Sequence, residues 1–334
     1  MKGVREAVRE WFDARSRAWL RAEGADGVWS SVHPAGALDI RRRAAMQKHR
    51  GAVDRKVISD ISVHIIERNS RSREDCVTAK ITEMTRFLYE LNGRVEQEQR
   101  VCRHQQMWRI HQGNAVDLVD RWQEGEAAVS DWEQDAVDRK AGASWTERRV
   151  EGAQSFGRSA PTPGFSGNRD HRYSRTRAVR YAELWWDRYN PDYSHFDQDC
   201  TNFVSQALYA GGLPMIHTGK KETGWWYHHG EHPDFSYSWT VANALAAMLQ
   251  STAGGIRVEI VANPAELQTG DIIQYDWNGT GRYGHTTIVT DHDSKGDPLV
   301  NAHTVSSRKR HYAYEDSDAW TPKTRYLLCR LGNL

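Results

Sequence analysis

Cys200 sits within the stretch FDQDCTNFVSQALYAGG, residues 196–212. After it the apolar residues Phe203, Val204, Ala207, Leu208 and Ala210 fall at helical spacing, and Gly211-Gly212 offers a C-terminal stop. The pattern predicts a core-packed helix with a thiol in its first turn. A thiol there feels the positive end of the helix dipole, which favours the thiolate, the form that attacks carbonyl carbon. The unpaired backbone N–H groups at the same end suit the oxyanion that such an attack creates. A cysteine is also a common core residue, so partners must decide between the two.

The partner chemistry lies in residues 270–291, GDIIQYDWNGTGRYGHTTIVTD. Alternation through Ile272–Asp276 predicts a strand, a Gly/Asn-rich turn follows, and His285 opens a second strand through Thr290. An imidazole is the side chain suited to deprotonate a thiol near neutral pH. A third strand, Leu299 to His303, places Asn301 and His303 on one face, so either could orient the His285 ring as a third member.

Other constellations have simpler explanations. His228, His229 and His232 form a His-rich run that would suit a zinc-dependent hydrolase, but without HExxH spacing. Asp276 to Gly281 starts like a calcium loop, yet Thr287 stands where the bidentate Glu belongs, which favours a hairpin turn. Arg41-Arg42-Arg43 and Arg308-Lys309-Arg310 are expected on solvated faces. Of the 14 tryptophans, most are expected as core filler, while Trp225 and Trp226, in Gly- and His-rich sequence, are candidates to line a substrate groove.

The elements that must hold this chemistry divide the chain. Val4, Val8, Trp11, Phe12, Ala18 and Trp19 predict a helix over residues 2–22, with Arg15 interrupting its apolar face. From Asp60 the period changes to two, and strands follow through Ile65, Val77–Leu91, Val95–His111 and Val116–Trp122, with Asn92-Gly93 as a hairpin turn. This pattern resembles a cystatin or nuclear-transport-factor-like cone, a curved antiparallel sheet around a helix. A Gly/Ser/Pro-rich stretch then reads as a linker. The expected organisation is an accessory domain over residues 1–140, a linker over 141–172 and a chemistry-bearing α+β domain over 173–334, which begins with a helix near Ser174–Tyr189.

A nucleophile at a helix start with its base on a neighbouring strand is the layout of papain-like enzymes. The pieces WWDRYNPDYSHFDQDCTNFVSQALYAGGLPM, SWTVANAL, GDIIQYDWNGTGRYGHTTIVT and PLVNAHT, in this order, resemble the bacterial "putative amidase domain" family, a relative of CHAP and other papain-like peptidoglycan hydrolases. The resemblance covers about residues 173–320. It implies a papain-like α+β fold, amide hydrolysis without a cofactor, and a Cys200–His285 dyad with a polar third member, for which Asn301 is better placed than His303. Papain's oxyanion glutamine has no counterpart, since Ser194 stands there, and Gln198 or Asp199 is left to support the oxyanion. The implied partner is an amide or peptide-like substrate, cell-wall peptide among the candidates. A catalytically silent module that only binds a peptide or glycan is the alternative from another class.

Composition sets outer limits. The chain has 334 residues, 27% charged and 39% hydrophobic, with a formal net charge of +1. Nothing in that balance calls for nucleic acid or an anionic membrane. The first 20 residues mix charges among apolar positions and lack the h-region of a signal peptide, so a cytoplasmic location is the default expectation, with export left open. The four cysteines, Cys76, Cys102, Cys200 and Cys329, form no CxxC pair.

Overall fold

The computed structural model describes residues 2–20, 34–69, 75–111, 114–123, 173–251 and 256–332. Helix α1 (Lys2–Leu20) is followed by α2 (Pro34–Arg50) and four long strands, β1 (Ala52–Asn69), β2 (Asp75–Leu91), β3 (Arg94–His111) and β4 (Asn114–Gln123). Asn92 and Gly93 both take positive φ, 54° and 75°, the geometry of a tight two-residue hairpin. The apolar face of α1 buries Val4, Val8, Trp11 and Phe12 against Val77, Ala79, Ile81 and Trp108. Arg15, the break in that face, is itself buried: it pairs with Glu83 and lies among the rings of Trp11, Phe12 and Trp19. Helix α2 was not legible from periodicity, because its buried face mixes Ile40 and Met46 with Arg43, Gln47 and Arg50.

The C-terminal region begins with α3 (Arg175–Trp185), capped by the Ser174 hydroxyl on the Arg177 amide, and α4 (Cys200–Ala210). Short strands β5 (Tyr227–His228) and β6 (Asp234–Phe235), helices α5 (Tyr237–Thr240) and α6 (Ala242–Gln250), and strand β7 (Val258–Val261) precede β8 (Ile272–Asp276). Strands β9 (His285–His292), β10 (Pro298–Ala302), β11 (Ser306–His311) and β12 (Arg325–Leu331) complete the chain. The fold is mixed helix and sheet, with an N-terminal helix and a large antiparallel sheet.

That sheet is continuous across the N- and C-terminal regions, in the order β1-β2-β3-β11-β10-β9-β8-β12-β7. Strand β3 pairs with β2 on one edge and divides its other edge between two partners. Gln99–Val101 pair with Ser306–Arg308 of β11, while His104–His111 pair with β4. Around β8, β9 and β12, one face of the sheet packs Ile272, Ile288, Leu327 and Cys329 against Phe203, Val204 and Ala207 of α4. The opposite face packs Ile273, Tyr275, Val289 and Val300 beneath Tyr314 and Ala319. The expected linker over 141–172 lies outside the described residues.

Candidate functional site

Cys200 is the first residue of α4 and is 5% exposed. Helix α4 is apolar on its inner side, with Phe203, Val204, Ala207 and Leu208 fully buried, and this packing fixes where its first turn sits. The first turn is fastened to the sheet by a side-chain bond. Thr201 Oγ1 lies 2.9 Å from Thr286 Oγ1, and Thr286 in turn donates to Gln274 Oε1 at 2.8 Å. Thr201 follows Cys200 and Thr286 follows His285. The helix start and the strand start that carry the two chemical side chains therefore share one hydrogen bond.

His285 is 1% exposed and pairs across the sheet with Tyr275. Its ring packs among Tyr275, Trp277 and Tyr314, with centroids 5.4, 5.8 and 5.3 Å away. Burial pushes the Tyr275 hydroxyl well above its ordinary pKa, and that hydroxyl bonds to the Tyr312 carbonyl at 2.8 Å. Because side chains alternate along β9, Thr286 faces the helices while His285 faces the aromatic cluster on the other side.

Both expected third members are committed elsewhere. Asn301 Oδ1 accepts from Thr290 Oγ1 and from the Lys309 amide, each at 2.9 Å. Its Nδ2 donates to Glu183 Oε1 at 3.0 Å and to the Ala182 carbonyl at 3.4 Å. It clamps strand to helix and is not brought to the His285 ring. His303 lies on the same helix-facing side. Its Nδ1 is 2.8 Å from Asp199 Oδ2, its Nε2 is 2.7 Å from the Trp185 carbonyl, and its ring stacks on Phe203 at 4.1 Å. The shared face expected for Asn301 and His303 is present, but it is the face opposite to His285.

Asp199 holds the N-cap position of α4 without accepting from the helix amides. Its carboxylate accepts from the Phe196 amide and Asn202 Nδ2, besides His303. It thereby serves as an anchor for the Cys200 turn, and its oxygens are taken up by these contacts. As an acceptor-only group it could not donate to an oxyanion while ionised. Gln198, its neighbour, is half-buried.

Trp225 is fully buried, donates Nε1 to Ser205 Oγ at 3.0 Å and packs on Trp239 at 4.8 Å. It is core, and the groove role expected for it does not hold. Trp226 is 5% exposed, bonds to the Lys220 and Thr223 carbonyls and packs against His217 and His228. His228, His229 and His232 are exposed and bring no three ligand atoms together. Among the described residues the group that does converge is Asp293, Asp297 and His311. Arg50 already occupies it, with Nη2 3.1 Å from Asp293 Oδ2. The Ala313 amide donates to His311 Nδ1, which leaves the hydrogen on Nε2, facing Asp297 at 3.5 Å. With Arg50 on Asp293 and a hydrogen on His311 Nε2, the three groups do not offer three open ligand atoms to a metal ion. Asp276 behaves as a turn residue, its two oxygens accepting from the amides of Thr280 and Gly281.

Each of the two basic runs expected to be solvated turns one residue inward, while Arg41 is exposed and Arg42, Arg308 and Lys309 are partly exposed. Arg43 and Arg310 are each 2% exposed and belong to a buried ion network between the N- and C-terminal regions. Their spacing resembles that of a surface helix or an edge strand, and only the tertiary partners Asp54, Glu98 and Asp316 explain the burial. Tyr275, Tyr314 and Thr286 were likewise missed, since their proximity to the candidate pair comes from cross-strand register and a distant loop.

Residues 172–328 match the family described as "Putative amidase domain". This matched segment holds Cys200, His285 and the partners named above for them. A protein of Bacillus subtilis (strain 168) named "Uncharacterized protein YhbB" is 46% identical over 158 residues, 47% of this chain and 50% of that protein. "Uncharacterized protein YjcM" of the same organism is 32% identical over 127 residues, 35% of this chain and 28% of that protein. The chain thus spans half or less of the curated relatives it matches. No solved structure matches it.

Proposed function

We propose that the amidase-family segment hydrolyses an amide bond with Cys200 as nucleophile and His285 as general base, on a papain-like arrangement of helix and sheet. The observation that supports this best is the Thr201–Thr286 hydrogen bond, which sets the start of α4 against the start of β9; Cys200 and His285 are the first residues of these elements, so in this reading the thiol meets the ring past the strand end and not through the sheet. In this mechanism His285 takes the Cys200 proton, and the thiolate sulfur bonds to the amide carbon. The tetrahedral oxyanion is held by amides at the start of α4. Its collapse breaks the C–N bond as His285 returns the proton to the leaving amine. Water, deprotonated by His285, then cleaves the thioester and releases the acid and the free thiol. A peptide-like substrate, such as a cell-wall peptide, fits this chemistry, which needs no cofactor.

The N-terminal cone-like sheet is proposed as an accessory unit. The test is amide hydrolysis with Cys200→Ala and Cys200→Ser. Both should abolish turnover while circular dichroism stays that of the parent, because a hydroxyl is far harder to ionise than a thiol. Turnover retained in Cys200→Ala would exclude the cysteine mechanism and point to another nucleophile, whereas a parent protein that binds but does not hydrolyse the substrate would favour the binding-module alternative.

A further inference from the structure

The N-terminal sheet meets the amidase-family segment over the β3–β11 pairing, and buried charge lies beside that seam. Arg43 of α2 grips Asp54 through two bonds of 2.8 Å and reaches Glu98 of β3 at 3.0 Å. Arg100 of β3 pairs with Glu98 and with Asp316, which lies in the loop after β11. Asp316 also receives Arg310 of β11, its Oδ1 2.9 Å from Nη2, and lies 3.7 Å from Arg43. Three guanidiniums and three carboxylates therefore balance, contributed from both sides of the seam.

The network does not stop at charge. The Arg310 guanidinium lies 3.8 Å from the centre of the Tyr314 ring, a close cation–π contact. Tyr314 is fully buried, holds a left-handed backbone at φ 55° and hydrogen-bonds through its hydroxyl to Ser307 Oγ at 3.0 Å. Its other neighbours are Tyr275 at 5.1 Å and the ring of His285 at 5.3 Å. A non-glycine residue kept in that conformation is held by its surroundings, and those surroundings are Arg310, Ser307 and the cluster around His285. Ser307 is the residue that pairs with Arg100 across the seam.

We propose that Tyr314 is a positioning residue for His285, and that the N-terminal sheet sets its place through Arg100, Asp316 and Arg310. The proposal rests on His285 being the base of the reaction. Undocking or distorting the N-terminal sheet would free Arg310, let the Tyr314 ring move and loosen the imidazole it backs. The N-terminal unit is thus a lever on the site, so a ligand that shifts it would tune turnover.

The experiment follows alkylation of Cys200 by iodoacetamide with pH, read by peptide mass spectrometry on the full chain, together with a thermal melt of each variant. Tyr314→Leu removes the ring at similar volume, Tyr314→Phe keeps it, and Arg100→Gln alters the N-terminal side alone. His285→Ala reports whether the base matters at all, and Arg55→Gln, an exposed pair with Glu90, is the control. Tyr314→Leu should slow alkylation at pH 7 roughly tenfold and shift its pH profile, on the scale seen when remote packing misplaces a reacting group. Arg100→Gln should move the profile the same way by a smaller factor, and Tyr314→Phe, which keeps the ring but loses the bond to Ser307, should stay closer to the parent than Tyr314→Leu does. Should Arg100→Gln fail to fold, Asp316→Asn on the other side of the seam is read instead. If His285→Ala leaves the profile unchanged, the assignment of the base falls and the proposal falls with it. If His285→Ala changes it while Tyr314→Leu and Arg100→Gln do not, the proposal alone is overturned. A change in Tyr314→Leu without one in the seam variant also overturns it, because the N-terminal sheet then has no hold on the ring.

Discussion

Asp199 and His303 form a buried pair, Oδ2 to Nδ1 at 2.8 Å, immediately before the candidate nucleophile. The pair ties the end of β10 to the N-cap of α4, and His303 Nε2 carries the tie on to the Trp185 carbonyl of α3. Three elements are thereby locked around the Cys200 turn. Removing one partner of a buried hydrogen-bonded pair leaves the other unsatisfied and typically costs about 1–3 kcal/mol. Asp199→Ala and His303→Ala should each lower unfolding free energy on that scale, measured by urea denaturation at pH 7. Turnover should fall as well, through misplacement of Cys200. Parent-like denaturation midpoints in both variants would remove the anchor role.

Asn301 should behave differently from a triad member. Its side-chain hydrogen bonds run to Thr290, Lys309, Ala182 and Glu183, so its loss strikes the strand–helix clamp. Asn301→Ala should cost about 1–3 kcal/mol of stability, the range for orphaning buried polar partners. Among folded molecules kcat/KM should keep the parent's pH profile. A profile shifted in its His285-dependent limb would instead restore Asn301 as the orienting residue.

Much of the site was legible because it depends on local pattern. Cys200 at a helix start follows from the spacing of Phe203, Val204, Ala207 and Leu208, and the strand that begins at His285 follows from its turn and alternation. The partners of His285 were not legible. Which face a strand residue takes is readable, but which of two sheet faces meets helix α4 is decided by packing of the whole domain. That is why Asn301 and His303 were grouped correctly with each other and yet fall on the face away from His285. Arg43 and Arg310 failed for a related reason: a charged side chain is expected in water unless a partner is known, and their partners lie on elements far apart in sequence.

The seam network predicts an acid-labile molecule. Burial alone would raise the carboxyls of Glu98 and Asp316, but Arg100, Arg43 and Arg310 outweigh it and hold both below the usual carboxylate range. Groups depressed in the folded state contribute stability that is fully present above the unfolded value, about pH 4, and is lost as pH falls further. Thermal melts should therefore hold down to about pH 4 and fall progressively below it. Glu98→Gln should be less stable at pH 7 and show a shallower acid dependence. An acid slope equal to the parent's would assign the lability to other carboxylates.

The thiols should separate by environment. Burial pushes the Cys329 thiol up to about 12, helped by the nearby Asp271 carboxylate. Near neutral pH it is therefore essentially all thiol, and it lies fully buried among Ile272, Ile288 and the helices. Limiting iodoacetamide should label Cys200 ahead of Cys329 by a wide margin, and Cys200→Ala should not transfer that label to Cys329. Equal labelling of the two in folded protein would remove the argument for an activated Cys200.

The last prediction concerns whether residues 173–334 stand alone. Removing residues 1–172 would strip β3 from β11 and expose the backbone edge of Ser306–Arg308. Asp316 would lose Arg100 and Arg43 while keeping Arg310, and Asp293 would lose Arg50. An open strand edge is a template for pairing with another chain, so the fragment should self-associate more than the full chain. It should also melt lower, at roughly 2–4 °C per kcal/mol for a unit of this size. Analytical ultracentrifugation and calorimetry on the two forms decide this. A monomeric fragment with the parent's melting temperature would make the seam a passive contact, and the N-terminal sheet a separate domain in the thermodynamic sense.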